Sequence, residues 1–436
     1  MFKIIRISFL LCLILVAVTS LTARAVAPTV EVLTVDGTIV PVVADYIERG
    51  ITEAEDKNAT VCIIELNTPG GLLDTTEEIV QTIMNARIPV VVYVSPTGAW
   101  AASAGTFITL SAHIAAMTPG TTIGAAHPVS AGGEDIPEDQ MKKITEFSAK
   151  WMKTIAEERN RNEEEAQLAV TESKSFTDND ALSSNIIDLR AKNLEDLVSQ
   201  INGQKVILAS GHEVTIDTTG YETTRNEMSF IERFLHAISD PNIAYILLSI
   251  GSLGIMAEIY NPGAFFPGII GAISLLMAFY SLGVLDANLG GILLMLLAFG
   301  LFIAEFFTTT FGILTAGGIT ALVLGSLLLF PGRAPLFQVN PWLIAGITLL
   351  FVTFFVFVIQ RVIKAHRGQA TTGWEELIGK PATVKVALAP EGQVLFRGEH
   401  WIAISEEGAV EPGEEVIINK VDKLKLYVTK KDGADE

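Results

Sequence analysis

Gly98-Ala99-Trp100-Ala101-Ala102-Ser103-Ala104-Gly105-Thr106 comes shortly after the apolar run Pro89-Val90-Val91-Val92-Tyr93-Val94-Ser95. A buried-type strand that passes into glycine and alanine and then presents one hydroxyl has the character of a nucleophile turn. Small neighbours let a backbone carbonyl approach the Ser103 hydroxyl, and the Ala104 amide is placed to donate to a developing oxyanion. Upstream, Val61-Cys62-Ile63-Ile64-Glu65-Leu66-Asn67 is a second buried-type run, ending in Thr68-Pro69-Gly70-Gly71. Consecutive glycines at a strand end can turn free N–H groups towards a cavity. Each motif alone reads equally as an ordinary helix start or an ordinary Pro-Gly-Gly turn. On successive strand ends of an α/β pattern, the two together point to catalysis.

The 436 residues leave room for two or three domains. Half are hydrophobic and the mean hydropathy is +0.44, which is too apolar for a soluble chain of this length and indicates a membrane protein. A formal net charge of −19 argues against a nucleic acid partner. Lys3 and Arg6, the apolar residues 7–20 and Ala23-Arg24-Ala25 form a leader, residues 1–25, with cleavage expected after Ala25. Cys12 leaves with that leader, so Cys62 reads as a small core hydrophobe.

From residue 29 to about 202, short apolar runs alternate with amphipathic segments, the pattern of an α/β domain. A first strand is expected over residues 30–35 and helices over 41–54 and 72–86. A long helix over 137–161 has an acidic first turn, Glu138 and Asp139. Residues 118–129 read as strands and tight connections, and Thr177 caps a further helix. This exported domain is expected over residues 26–235.

Beyond residue 240 come five apolar stretches, about 242–260, 265–282, 289–307, 311–330 and 342–359, each close to the ~20 residues that cross a bilayer. They define a membrane domain over residues 241–360. It has five spans, or four if Asn261-Pro262-Gly263 joins a re-entrant pair. Glu258 and Glu305 are expected in structural roles, and Gly290-Gly291 and Gly317-Gly318 allow close helix packing. Arg361, Lys364 and Arg367 then place the following segment in the cytoplasm, with the first domain outside. Residues 373–431 show five short strands, suited to a small all-β barrel of OB type. From Gly373 onward there are 13 acidic and 8 basic side chains, so a protein partner fits better than nucleic acid.

The order strand, Asn-Thr-Pro-Gly-Gly, helix, strand, Ala-Ala-Ser-Ala-Gly, helix resembles the Clp-protease/crotonase superfamily. With the membrane block and C-terminal β domain, nearly the whole chain resembles the long form of the NfeD membrane-bound serine proteases, relatives of signal peptide peptidase A. The resemblance implies an α/β Clp/crotonase-like domain with Ser103 as nucleophile and an oxyanion hole from Gly71 and Ala104, with Gly70 shaping the loop. No metal or cofactor is expected, because the sequence has no His/Cys/carboxylate ligand spacing and no Walker-type glycine loop. The resemblance also implies a homo-oligomer and a stomatin- or flotillin-like membrane protein cut within hydrophobic segments. The competing reading is a non-catalytic membrane scaffold that binds such a partner through its membrane and OB-type domains.

A serine hydroxyl needs a nearby base. Helix 137–161 carries Lys142, Lys143, Lys150 and Lys153, and a desolvated ammonium can lose its proton. The stretch from Lys153 to Asn162 resembles the NfeD segment that carries a catalytic lysine, which implies a Ser103–Lys153 dyad. His127, 24 positions after Ser103, is the alternative base, placed much as the histidine of soluble Clp proteases. His113, flanked by apolar residues, reads as structural.

Overall fold

The computed structural model describes residues 28–129, 137–285, 287–308, 310, 312–331, 338–367 and 377–431. The expected leader lies outside them. The first domain runs β1 (Thr29–Asp36), α1 (Pro41–Asp56), β2 (Val61–Asn67), α2 (Leu73–Met84), β3 (Val90–Val94), β4 (Trp100–Ala102), α3 (Ala104–Ser111), β5 (Ile114–Met117) and β6 (Thr122–Gly124). It continues with α4 (Glu138–Glu158), α5 (Glu163–Thr171), β7 (Ser175–Thr177), α6 (Asp178–Ser183), β8 (Leu189–Arg190), α7 (Leu194–Ile201), β9 (Lys205–Ile207), β10 (Glu213–Thr215), β11 (Glu222–Arg225) and α8 (Phe230–Ile238).

Six strands form one sheet in the order β11-β1-β2-β3-β5-β8, parallel throughout. The near-continuous apolar runs of β2 and β3 follow from burial on both faces. Side chains alternate across a strand, so Cys62, Ile64, Leu66, Val90, Val92 and Val94 join one core. Val61, Ile63, Val91 and Tyr93 join the other. Burial pushes the Cys62 thiol pKa up, in keeping with a core hydrophobe. A smaller sheet, β4-β6-β7, stands over the C-terminal ends of β2 and β3. β4 lies within the stretch whose glycine and alanines predict a turn.

The long expected helix is α4, with Glu138 and Asp139 in its first turn. Its buried residues Ser148, Met152 and Ile155 recur at helical spacing. Trp151 stacks on Phe107 of α3 with ring centroids 4.6 Å apart. Thr177 caps α6 in a reciprocal box with Asp180.

Five helices follow: α9 (Pro241–Tyr260), α10 (Phe266–Val284), α11 (Leu289–Phe307), α12 (Ile313–Leu329) and α13 (Pro341–Arg367). α9, α10 and α11 are long and apolar enough to cross a membrane, and α12 and the 341–357 part of α13 are apolar but shorter. α9 pairs with α10, and α11 with α12, as hairpins. The Asn340 N–H donates to Asn242 Oδ1 (2.8 Å) and the Asn288 N–H to the Leu329 carbonyl (2.9 Å). These bonds gather the starts of α9, α11 and α13 and the end of α12 at one level. Glycine sets the helix spacing: a Cβ at Gly271 would lie 2.8 Å from the Gly251 carbonyl oxygen. Glu305 accepts from the amides of Gly312 (2.8 Å) and Thr315 (2.9 Å), capping α12, which is the structural role expected of it.

The C-terminal unit is a closed five-stranded barrel of β12 (Pro381–Val386), β13 (Glu391–Phe396), β14 (Glu399–Ser405), β15 (Glu415–Asp422) and β16 (Lys425–Lys430), in the order β12-β13-β14-β16-β15. β14 and β16 pair in parallel and the remaining pairs are antiparallel. Val384, Val394, Ala403, Ile418, Leu426 and Val428 fill its core.

Candidate active site

The two strand-end motifs meet because Thr68, just past β2, pairs with Ala101 of β4. The Thr68 N–H donates to the Trp100 carbonyl (2.8 Å) and the Ala102 N–H to the Thr68 carbonyl (3.1 Å). The buried Thr68 hydroxyl accepts from the Gly70 N–H at 3.0 Å and turns the glycine pair. Gly70 has φ +123°, and a Cβ there would lie 2.7 Å from the Ser103 Cβ. On its other side the loop pairs with Ile39: the Ile39 N–H donates to the Gly70 carbonyl (2.9 Å) and the Leu72 N–H to the Ile39 carbonyl (3.0 Å). A Cβ on Gly71 would fall 2.0 Å from that Ile39 oxygen. Both positions therefore require glycine.

Ser103 sits at φ +53°, ψ −114°, a sparsely populated conformation for a residue with a side chain. The surroundings hold it there. Its N–H donates to the Gly124 carbonyl (3.0 Å), and the buried Thr106 hydroxyl lies 3.0 Å from the carbonyls of both Ala101 and Gly124. Ser103 opens α3, whose first amide belongs to Ala104. The amides of Gly71 and Ala104 have no acceptor among the described residues, the condition an oxyanion hole needs.

A cavity of about 250 Å³ opens on Ser103. Leu72, Leu73 and Thr76 form one wall, Phe107 and Ala126 another, and Met141, Ile144 and Ser148 of α4 a third. The lining is mostly apolar and, among the described residues, includes no titratable side chain. The Ser148 hydroxyl is buried there without a hydrogen-bond partner among the described residues.

Neither expected base belongs to this wall. Lys153 Nζ lies 3.1 Å from Glu163, with the lysine side chain 46% exposed. The hydrogen bond that Lys153 donates to Glu163 raises the Lys153 pKa, opposite to what a general base requires. Met141, Ile144 and Ser148 mark one face of α4, and Lys153 projects from another. Lys142 and Lys143 stand between two wall residues. His127 Nδ1 lies 3.0 Å from the Val170 carbonyl, and its neighbours Ala126 and Pro128 line the cavity instead of its ring. His113 accepts from the Val90 N–H at 3.1 Å, and burial pushes its pKa down to about 3. The structure thus gathers Ser103, Gly70, Gly71 and Ala104 and leaves Lys153 and His127 outside the cavity. Sequence reasoning passed over Thr68 and Thr106; a threonine just before Pro-Gly-Gly was the available signal for the first.

Residues 29–205 match the NfeD1b N-terminal domain, residues 242–361 the NfeD integral membrane domain, and residues 375–430 the NfeD-like C-terminal, partner-binding domain. The membrane-bound protease PH1510 of Pyrococcus horikoshii is 38% identical over 420 residues, 93% of this chain and 95% of the relative. The membrane protein NfeD1b of Bacillus subtilis is 27% identical over 429 residues, 94% of each chain. A solved structure, the 1510-N membrane protease specific for a stomatin homolog from Pyrococcus horikoshii, is 36% identical. It covers 49% of this chain and 100% of its own, with a TM-score of 0.44. Matched in three successive domains and aligned almost end to end with a 38% identical relative, the chain belongs to the NfeD family.

Proposed function

We propose that this protein is a membrane-anchored serine endopeptidase that cleaves hydrophobic segments of a stomatin-like membrane protein. The observation that carries the reading is the pair of unengaged amides, Gly71 and Ala104, on either side of a strained Ser103 at the mouth of an apolar cavity. Ser103 Oγ attacks the peptide carbonyl and the two amides bind the oxyanion. The base takes the hydroxyl proton and returns it to the leaving amine, after which water hydrolyses the acyl-enzyme. The apolar lining suits an apolar side chain next to the cut bond. The description of the relative as specific for a stomatin homolog supports the substrate class.

The base is a lysine of α4. The family resemblance singles out Lys153, which must leave Glu163 to act. The cavity wall favours a second reading, in which Lys142 or Lys143, flanked by Met141 and Ile144, is carried to Ser103 when a peptide enters. In either case the working domain is the exported one, residues 26–235, with a five-span bundle at 241–360. The barrel at 373–431 docks the partner on the cytoplasmic side, and the protein assembles as a homo-oligomer. A peptidase assay on an apolar peptide tests the reading: Ser103→Ala must remove cleavage. Cleavage that survives in Ser103→Ala leaves the scaffold reading in possession.

A further inference from the structure

α8, the last helix before the membrane bundle, turns two polar residues towards the protein and leaves three large apolar ones exposed. Its polar side faces the protein: Glu232 receives Arg49 Nε at 2.8 Å, and His236 Nε2 lies 3.3 Å from the Thr38 carbonyl. A capping box between Ser229 and Glu232 fixes its first turn, and Leu235 packs on the domain core. Its outward side carries three large apolar residues beside the exposed Arg233. Phe230 is 83% exposed, Ile231 67% and Phe234 41%, with the two phenylalanine rings stacked 6.5 Å apart. Phe230 and Phe234 are one helical turn apart and share one stripe. A contiguous apolar stripe of this kind on an otherwise well-packed domain marks a surface that is covered in use.

The surroundings identify the cover. Only Ser239 and Asp240 separate α8 from α9, and the Ser281 hydroxyl near the end of α10 donates to the Ile238 carbonyl. This sets the end of α8 against the end of α10, where Phe279 and Tyr280 are exposed beside Ser281. At the same end of the bundle Trp342 is 86% exposed in the first turn of α13, the position of an interfacial aromatic. We propose that α8 is a non-spanning interfacial anchor whose Phe230/Ile231/Phe234 face is seated in the bilayer surface. It thereby fixes the orientation of the exported domain above the membrane. The ligand is the lipid interface itself. Arg233, the basic residue beside the stripe, lies 3.4 Å from Glu227 with both side chains exposed, and the seat itself is formed by the three apolar side chains.

The test uses the full-length protein in phosphatidylcholine vesicles, spin-labelled in turn at Phe230→Cys, Phe234→Cys and Arg233→Cys. All three side chains are exposed and the native Cys62 is buried, so with Cys12 replaced by alanine labelling leaves the core alone. Collision rates with oxygen, which partitions into lipid, and with a water-soluble nickel chelate are compared. At positions 230 and 234 oxygen collisions should rise and nickel collisions fall relative to position 233. High nickel accessibility at all three positions would place the stripe in water and overturn the proposal. Low accessibility to both reagents at 230 and 234 would put a protein surface, such as a second copy of the chain, over the stripe and overturn it equally.

Discussion

Replacing Gly71 by alanine isolates the oxyanion hole from the nucleophile. The added Cβ would sit 2.0 Å from the Ile39 carbonyl oxygen and 2.5 Å from the Ile39 Cβ. Relief to ordinary contact requires the loop to move by about 1 Å or more. That takes the Gly71 amide out of the 2.7–3.1 Å range in which a donor stabilises an oxyanion. Losing one of two such donors lowers kcat by roughly 10²–10³-fold, or about 3–4 kcal/mol of transition-state stabilisation. On the proposed reading the substrate side chain rests in the cavity lined by Phe107, Ile144 and their neighbours, away from the Gly71 amide, so KM should change little. Overpacking should also reduce stability, by about 1–3 kcal/mol. The assay is steady-state cleavage of a fluorogenic apolar peptide by full-length protein in detergent, with thermal unfolding followed in parallel. A folded Gly71→Ala protein whose kcat stays within about threefold of the parent, under ~1 kcal/mol, would refute the assignment of that amide.

Three further outcomes follow. Single alanine replacements of Lys142, Lys143 and Lys153 should include one that lowers kcat by at least ~10²-fold with the fold intact, whereas His127→Ala should retain most activity; an inactive His127→Ala protein alone would move the base to the histidine. Desolvation of the half-buried His113 imidazole pushes its pKa down to about 3, so it stays neutral when folded while the unfolded chain gains a proton below pH 6.5. Stability should therefore be intact above pH 6.5 and fall by up to ~1.4 kcal/mol per pH unit between there and pH 3, a slope that His113→Gln should flatten in thermal unfolding across that range. In intact cells, an impermeant maleimide should label a cysteine at Lys192 and spare one at Glu407; labelling of both would give the bundle an even number of spans.

The parts of this molecule that sequence made legible are those fixed by burial and local geometry. The runs 61–67 and 89–95 look like central strands because both faces are covered. The glycines at 70 and 71 stand out because no Cβ fits there. Thr177 signals its own helix through a hydroxyl three residues from Asp180. The five apolar stretches and the five short C-terminal strands appear as helices and as a closed barrel for the same reason. What stayed hidden depends on partners distant in the chain. β4 is only three residues long and exists because Thr68 and Thr122 flank it. The Thr106 hydroxyl acts on Gly124, 18 residues away, and Lys153 is claimed by Glu163 on the next helix. α8 carries an ordinary amphipathic pattern, and distant partners such as Arg49, 183 residues upstream of Glu232, show which face turns inward.

The most direct test is the covalent state of Ser103. Full-length protein is incubated with an apolar peptidyl fluorophosphonate and analysed by intact mass and peptide mapping, beside Ser103→Ala. The account predicts one adduct per chain, mapped to Ser103, appearing in step with loss of peptidase activity and absent from the variant. An adduct that persists in Ser103→Ala, or full peptide cleavage by that variant, would contradict it.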